Sequence, residues 1–326
     1  MVQNIRDTIT SFGGEVIFGA KFIGYDTDDD GRLREISYTK NNSTNIISAN
    51  KCILATGHSA RDVFRMLKSR GVTLSQKNFA MGVRIEHLQK DLDRCMYGGN
   101  AGHPALGAAD YKLAVHLPDG HSLYTFCMCP GGEVVASASE DERLVVNGMS
   151  YRARDSINAN SAILVGISPD DLSSDDPLAG MLLQEEIEHK AYVSAGGGYK
   201  APVCLTGDFL EGQVSTRYGK VKPSYIPGCS FVLPDKYLPK FMTDTLRSGI
   251  PEMAKKLSLF GDTEAVLTGV ESRSSSPVRI VRNEMYQSVD VKGLYPCGEG
   301  AGYAGGITSA AVDGLRCAEA IIKQEY

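Results

Sequence analysis

No apolar run in this sequence approaches the roughly 18 residues that a membrane-crossing helix requires. That excludes a helical membrane protein. The opening Met1-Val2-Gln3-Asn4-Ile5-Arg6 has no signal-peptide apolar core, so the expected location is the cytoplasm. Positive charge is in deficit: 34 Lys and Arg face 39 Asp and Glu, a net charge of −5. A phosphate-binding face needs clustered cations, so nucleic acid is not the expected main partner. The eight cysteines (Cys52, Cys95, Cys127, Cys129, Cys204, Cys229, Cys297 and Cys317) are scattered and include no C-x-x-C pair. This argues against a disulfide framework and for reduced thiols. His103, His116, His121 and His189 have no ligand spacing, and no metal site is expected.

Hydrophobic residues make up 42% of the 326 positions, enough for a sizeable core. At roughly 150 residues per domain the expectation is two domains. Residues 2–12 carry Val2, Ile5, Ile9 and Phe12 at helical spacing, and Gly13-Gly14 stop that helix. Strands are expected over 15–25, 33–39 and 45–48, then an apolar strand over 51–54 and a helix over 59–69. Asp26, Asp28, Asp30 and Gly31 imitate half of a calcium-binding loop, but its twelfth position is Ser37, not Glu, and the flanks are strands. A hairpin turn is expected there.

From about residue 79 short alternating stretches with glycine breaks predict a β-rich unit. Helices are expected over 177–193, 239–247 and 251–259. Near residue 265 the pattern returns to strand, turn and long helix, the helix running over 307–323 with small residues Ala310, Ala311, Gly314 and Ala318 on one side. The chain therefore divides into residues 1–78 plus 266–326, and an inserted domain over 79–265. The fold class expected is α/β with an α+β insertion.

The strongest local signal is Gly298-Glu299-Gly300-Ala301-Gly302-Tyr303-Ala304-Gly305-Gly306-Ile307, with five glycines before a helix. Glycine lets the backbone approach a ligand and take positive φ. A helix N-terminus offers N–H groups and a positive dipole end, which favour phosphate or the pyrimidine edge of a reduced flavin. Glu299 is placed to accept from ribityl or ribose hydroxyls. The second signal is Ile53-Leu54-Ala55-Thr56-Gly57, a buried strand running into a small-residue turn. The two together predict one dinucleotide site. The G-x-G-x-x-G fingerprint expected after a first strand is missing. Gly300-x-Gly302-x-x-Gly305 has the spacing but no βαβ unit behind it. At least one βαβ unit of roughly 30 residues is therefore expected to precede Met1 in a complete domain.

The resemblance to a family is carried by Ala55-Thr56-Gly57-His58-Ser59-Ala60-Arg61-Asp62, Gly82-Val83-Arg84-Ile85-Glu86-His87 and Tyr124-Thr125-Phe126-Cys127-Met128-Cys129-Pro130-Gly131-Gly132. Asn147-Gly148-Met149-Ser150-Tyr151, Gly269-Val270-Glu271-Ser272-Arg273 and the 298–307 loop complete it. With these motifs the chain resembles uncharacterised bacterial FAD-dependent dehydrogenases, also called NAD(FAD)-utilising dehydrogenases. The resemblance implies a partial Rossmann-like FAD/NAD(P)-binding domain lacking the N-terminal FAD fingerprint. It also implies FAD as cofactor, with NAD(P)H as candidate electron donor. The mechanism expected is hydride transfer through flavin N5; the resemblance supplies no substrate, and a small molecule is expected.

Cofactor-binding candidates are Ala55, Thr56, Gly57, Gly298, Glu299, Gly300, Ala301, Gly302, Tyr303, Gly305, Gly306 and Ile307. Catalytic candidates are Cys127 and Cys129, a thiol pair suited to electron passage or nucleophilic attack, and Arg154, suited to gripping an anion. Strand alternation puts Arg84 and Glu86 on one face, as an ion pair or an anion-binding site. Arg273, Arg279 and Arg282 form a candidate anion cluster. Two alternatives stand beside the dehydrogenase reading: a non-catalytic fragment that has lost FAD, and a flavin-dependent modifier of RNA or another macromolecule.

Overall fold

The computed structural model describes residues 2–324. It divides into two compact units, Met1–Ser75 with Arg279–Tyr326, and Gln76–Val278. The first unit opens with helix α1 (Val2–Ser11) and an antiparallel meander of β1 (Lys21–Thr27), β2 (Leu33–Lys40) and β3 (Ser43–Ser48). Strand β4 (Cys52–Leu54), helix α2 (Arg61–Ser69) and strand β5 (Leu74–Gln76) follow.

The second unit runs β6 (Phe79–Leu88), α3 (Gln89–Tyr97), β7 (Ala114–His116), β8 (Ser122–Cys129), β9 (Gly132–Ala136), β10 (Val146–Ser150) and β11 (Asn158–Ile167). It continues with α4 (Ala179–Ser194), β12 (Ala201–Leu205), α5 (Thr206–Glu211), β13 (Cys229–Phe231), α6 (Lys240–Lys256) and β14 (Val266–Glu271). The chain then returns to the first unit with β15 (Val278–Ile280), β16 (Leu294–Pro296) and α7 (Ile307–Lys323).

The turn at 26–31 is a hairpin, as its flanking strands dictate. The Asp28 carboxylate accepts from the backbone N–H of Asp30 at 3.0 Å and of Arg32 at 2.9 Å. This is the local Asx chemistry that competes with ion binding. β1 begins at Lys21, so the strand expected from residue 15 is shorter. Phe18 is exposed, leaving no burial to reward extended pairing there.

The second unit is built on a seven-stranded mixed sheet in the order β13-β12-β14-β6-β11-β8-β7. β6 and β11 pair antiparallel over ten residues, from Asn158 opposite Leu88 to Ile167 opposite Phe79. All ten residues of β6 are buried, as expected of a central strand covered on both faces. One face carries Met81, Val83, Ile85, Ile163 and Val165 into the main core, joined by Met242, Leu246, Ile250 and Met253 of α6. The helix lies close: a Cβ at Gly249 would stand 2.6 Å from Leu123 Cδ2.

Two sequence expectations are corrected here. The helices expected over 239–247 and 251–259 are one helix that continues through Pro251. An interior proline costs about 3 kcal/mol. Burial of four large side chains, at roughly 1.5–3 kcal/mol each, outweighs it. The inserted domain was expected to end at 265, but β14 pairs with both β12 and β6 inside the larger unit. A fully buried apolar strand has the same pattern whichever sheet it joins, so its sequence does not reveal the partner.

His87 sits on the apolar face of β6, fully buried, with Phe260 edge-on at 5.3 Å and Tyr111 at 6.2 Å. Neither ring nitrogen finds a hydrogen-bond partner among the described residues. Burial pushes its pKa down to about 4. The unfolded chain, with an ordinary value near 6.5, then takes up the proton first. Stability carried by neutral His87 is therefore full above pH 6.5 and is lost as pH falls towards 4. That window corresponds to roughly 3 kcal/mol at 1.36 kcal/mol per pKa unit. Urea unfolding of the wild type should lose about that much more than His87→Leu between pH 6.5 and 4. Parallel profiles for the two proteins would show that His87 is not buried neutral.

Candidate functional site

In the first unit β4 and β16 lie side by side in parallel, Cys52 opposite Leu294 and Leu54 opposite Pro296. The ladder extends one step further, with the Cys297 N–H donating to the Leu54 carbonyl at 3.0 Å. Both strands then run directly into the two turns singled out from sequence. The structure thus brings Ala55-Thr56-Gly57 and the 298–306 turn together although they are far apart in the chain. Gly57 takes φ +76°. A Cβ at Gly300 would stand 2.4 Å from the Gly57 carbonyl oxygen. His58 Nδ1 and Glu299 Oε1 meet at 3.2 Å across the same junction.

The 298–306 turn is held from inside. Gly302 N–H donates to the Glu299 carbonyl at 3.0 Å, and Tyr303 N–H to that of Gly298 at 3.2 Å. Gly298 N–H donates to Asp313 Oδ2 at 2.7 Å, which ties the turn to α7. Arg282 donates to both Asp313 oxygens, at 2.9 and 2.6 Å, and to the Pro296 carbonyl at 2.7 Å. Burial works to raise the Asp313 carboxyl, but the Arg282 guanidinium and the Gly298 N–H hold it below the usual carboxylate range. The Tyr303 ring lies 3.7 Å beneath the Arg282 guanidinium. Small residues bring α7 close, as expected: a Cβ at Gly298 would stand 3.8 Å from Ala310 Cβ.

The predicted cofactor residues thus separate into two sets. Gly298, Gly300, Ala301 and Gly302 are buried and build the turn itself, while Glu299 is half-buried against His58. Ala55, Thr56, Gly305 and Ile307 are exposed. A Cβ at Gly305 or Gly306 would meet nothing within 4 Å, and neither residue lies in the left-handed region, Gly306 being extended at φ 171°. Among the described residues no side chain caps the α7 N-terminus that follows them.

Of the expected arginine cluster, Arg279 and Arg282 share the Tyr303 ring, and the guanidinium groups of Arg273 and Arg282 are taken up by protein carboxylates. Arg273 belongs to the second unit, where it donates to Glu188 at 3.1 and 3.0 Å and to Glu140 at 2.7 Å. Arg282 is taken up by Asp313. Arg279 is exposed, 5.2 Å over the Tyr303 ring. Protein carboxylates already occupy two of the three guanidinium groups.

In the second unit Cys127 and Cys129 close β8. Cys127 is exposed at φ +43°, and half-buried Cys129 donates from Sγ to the Cys127 carbonyl at 3.3 Å. Arg154 is exposed at φ +54°. A Cβ at Gly131 would stand 1.9 Å from the Arg154 carbonyl oxygen, so the segments carrying the three catalytic candidates are neighbours. Arg84 and Glu86 share a face but do not pair. Arg84 is fully buried and forms a double hydrogen bond with Glu271; it also donates to Asn160 Oδ1 at 2.5 Å. Glu86 instead accepts from Asn158 at 2.9 Å and from the Ser224 hydroxyl at 2.5 Å. A Cβ at Gly148 would strike Arg84 Nη1 at 1.9 Å, so the backbone of β10 packs directly against the guanidinium.

The family described as "FAD-dependent protein, C-terminal domain-like" matches residues 78–274. An uncharacterised protein of Clostridium beijerinckii is 48% identical over 325 residues, covering 99% of this chain and 60% of that protein. The chain thus spans about three fifths of that relative's length. Among solved structures, a triple mutant of the flavin-dependent brominase Bmp2 is similar at TM-score 0.40 and 12% identity, over 99% of this chain and 54% of that one. That likeness is too slight to bear on the fold. No helix of the described residues is long and apolar enough to cross a membrane.

Proposed function

The chain belongs to the family of FAD-dependent proteins whose C-terminal domain its residues 78–274 match, and we propose that it is the larger part of a flavin-dependent oxidoreductase. The observation that carries this reading is the pair Gly305-Gly306. Neither packing nor backbone conformation requires glycine at these positions. Close approach of a ligand does. They stand directly before α7, whose N-terminal N–H groups and dipole favour phosphate or a flavin ring edge carrying negative charge. Ala55, Thr56 and Gly57, whose turn meets the 298–306 turn at Gly300, would contribute to the same site.

A bound flavin supplies hydride acceptance and donation at N5. The chain's own residues hold it: the turn positions the glycines, and Asp313 and Arg282 fix the turn. Cys127, Cys129 and Arg154 of the second unit are the proposed reactive groups, a thiol as nucleophile or electron carrier and a guanidinium for an anionic group. The substrate is a small molecule and the electron donor NAD(P)H, as in a dehydrogenase.

A second reading, an incomplete domain that binds flavin poorly by itself, has its own support. Among the described residues β4 and β16 pair only with each other, so both edges of that sheet stand open. Ile5, Ile9 and Phe12 of the N-terminal segment and Ile307, Val312, Leu315 and Ile322 of α7 are exposed. Further polypeptide of the kind that fills the relative's remaining length would cover such surfaces.

Visible spectroscopy during FAD titration distinguishes the readings. Uptake with a structured flavin band, bleached anaerobically by NADH or NADPH, supports the oxidoreductase. In that case Gly305→Val should weaken FAD binding at least tenfold and leave the melting temperature nearly unchanged, because the new side chain meets only the ligand. No uptake by the wild type at millimolar FAD would leave the incomplete-domain reading. Unchanged affinity in Gly305→Val would remove the 298–306 turn as the site.

A further inference from the structure

Cys297 ends the run from β16, and Asp313 and Cys317 lie one helical turn apart on α7. Cys297 Sγ, Cys317 Sγ and an Asp313 oxygen all lie within 4.8 Å of one another. All three residues are buried, Cys317 completely. Nothing in the sequence announced this cluster except the i, i+4 spacing of Asp313 and Cys317. Two sulfurs and a carboxylate are a donor set for a soft metal. Here, however, a cation already sits among them. Arg282 Nη1 lies 3.5 Å from Cys317 Sγ and 2.9 Å from Asp313 Oδ2.

The two thiols are left near each other, their sulfurs within 4.8 Å. Gly314 of α7 faces the same sulfur: a Cβ there would be in ordinary contact with Cys297 Sγ at 3.7 Å. We propose that Cys297 and Cys317 are a dithiol–disulfide pair whose oxidation closes a covalent ring around the 298–306 turn. The whole turn lies between these two residues, and so does the start of α7. The bond would fasten the end of β16 to the helix that the Asp313–Gly298 hydrogen bond already holds.

The chemistry requires a two-electron oxidant, taken here as a small-molecule disulfide. The Cys317 thiolate, beside the Arg282 guanidinium, attacks one sulfur of the oxidant and releases the first small thiol. The Cys297 thiolate then attacks Cys317 Sγ and expels the second. Two S–H bonds and one S–S bond become one protein S–S bond and two small thiols. The sulfurs must close to about 2.05 Å, which from their present separation is a local adjustment. Burial raises both thiols, Cys297 to about 12. The thiolates are therefore scarce while the turn is closed, and oxidation proceeds through its opening.

The test treats the whole protein with oxidised glutathione, then maps disulfides by alkylation and peptide mass spectrometry. A peptide pair linked through Cys297 and Cys317 is expected, with slower amide hydrogen exchange over residues 298–306. Cys317→Ser should abolish the link and the added protection, leaving Cys297 a free thiol. Both readouts are independent of flavin. The pairing is overturned if both thiols are alkylated after treatment that oxidises exposed Cys95 and Cys127. It is also overturned if the reduced protein binds one equivalent of Co²⁺ with a sulfur-to-metal absorption band, which would make the cluster a metal site.

Discussion

Gly300→Ala should destabilise the protein by about 3 kcal/mol or more, the largest effect of any single methyl group added to the 298–306 turn. The new Cβ would lie 2.4 Å from the Gly57 carbonyl oxygen and 2.5 Å from its carbon. Overpacking of side chains against side chains typically costs about 1–3 kcal/mol, because rotamers can shift. Here the obstacle is backbone, pinned by the adjacent β4–β16 ladder. Two sibling substitutions calibrate the claim. Gly57→Ala adds its methyl to open space but at φ +76°, so it carries only the left-handed strain of roughly 1 kcal/mol. Gly305→Ala meets neither obstacle and should be near neutral. Urea unfolding of the three variants should rank them in that order. A Gly300→Ala protein no less stable than Gly305→Ala would mean that the two turns do not touch.

That contact marks the limit of what the sequence disclosed. Local patterns were legible. The glycine run before α7 and the apolar strand before Ala55 each declare a turn, because glycine and small residues have few other uses there. That the two turns belong together followed from assigning them to one cofactor, and the parallel pairing of β4 with β16 is what realises it. Partners were not legible where many residues fit equally. Arg84 and Glu86 were correctly placed on one face by strand alternation, yet Arg84 found Glu271 on β14, and Glu86 found Asn158, Ser224 and Thr268. Period two fixes a face and says nothing of which strand lies alongside. The same gap hid the Arg273–Glu188 and Arg282–Asp313 pairs, which take two of the three arginines of the expected anion cluster into internal ion pairs. In the 298–306 turn the sequence treated all five glycines alike. Only the packing separates Gly300, which the fold needs, from Gly305 and Gly306, which it does not.

Arg84→Met should cost about 3–5 kcal/mol in urea unfolding, the range for breaking a buried ion pair on one side. Arg84 and Glu271 are both almost wholly buried, at 0% and 3% exposed. Burial raises the Glu271 carboxyl against the pull of Arg84, while Glu271 outweighs burial to keep the guanidinium charged. Each charge is therefore tolerated only because the other is present. With Arg84 removed, Glu271 must either stay ionised without its partner or take up a proton, and both are costly in that interior. Asn160 and the Cys127 carbonyl would lose a donor as well. The Arg84→Met, Glu271→Leu double variant removes the cause instead of exposing it. Replacing both ions with apolar groups of similar volume is often neutral or stabilising, so the double variant should recover most of the loss. A double variant as unstable as the sum of its singles would show that the two residues act separately. Recovery would show that this pair contributes specificity rather than net stability, holding β14 beside β6 in register and, through the Cys127 carbonyl, the end of β8 that carries the two candidate thiols.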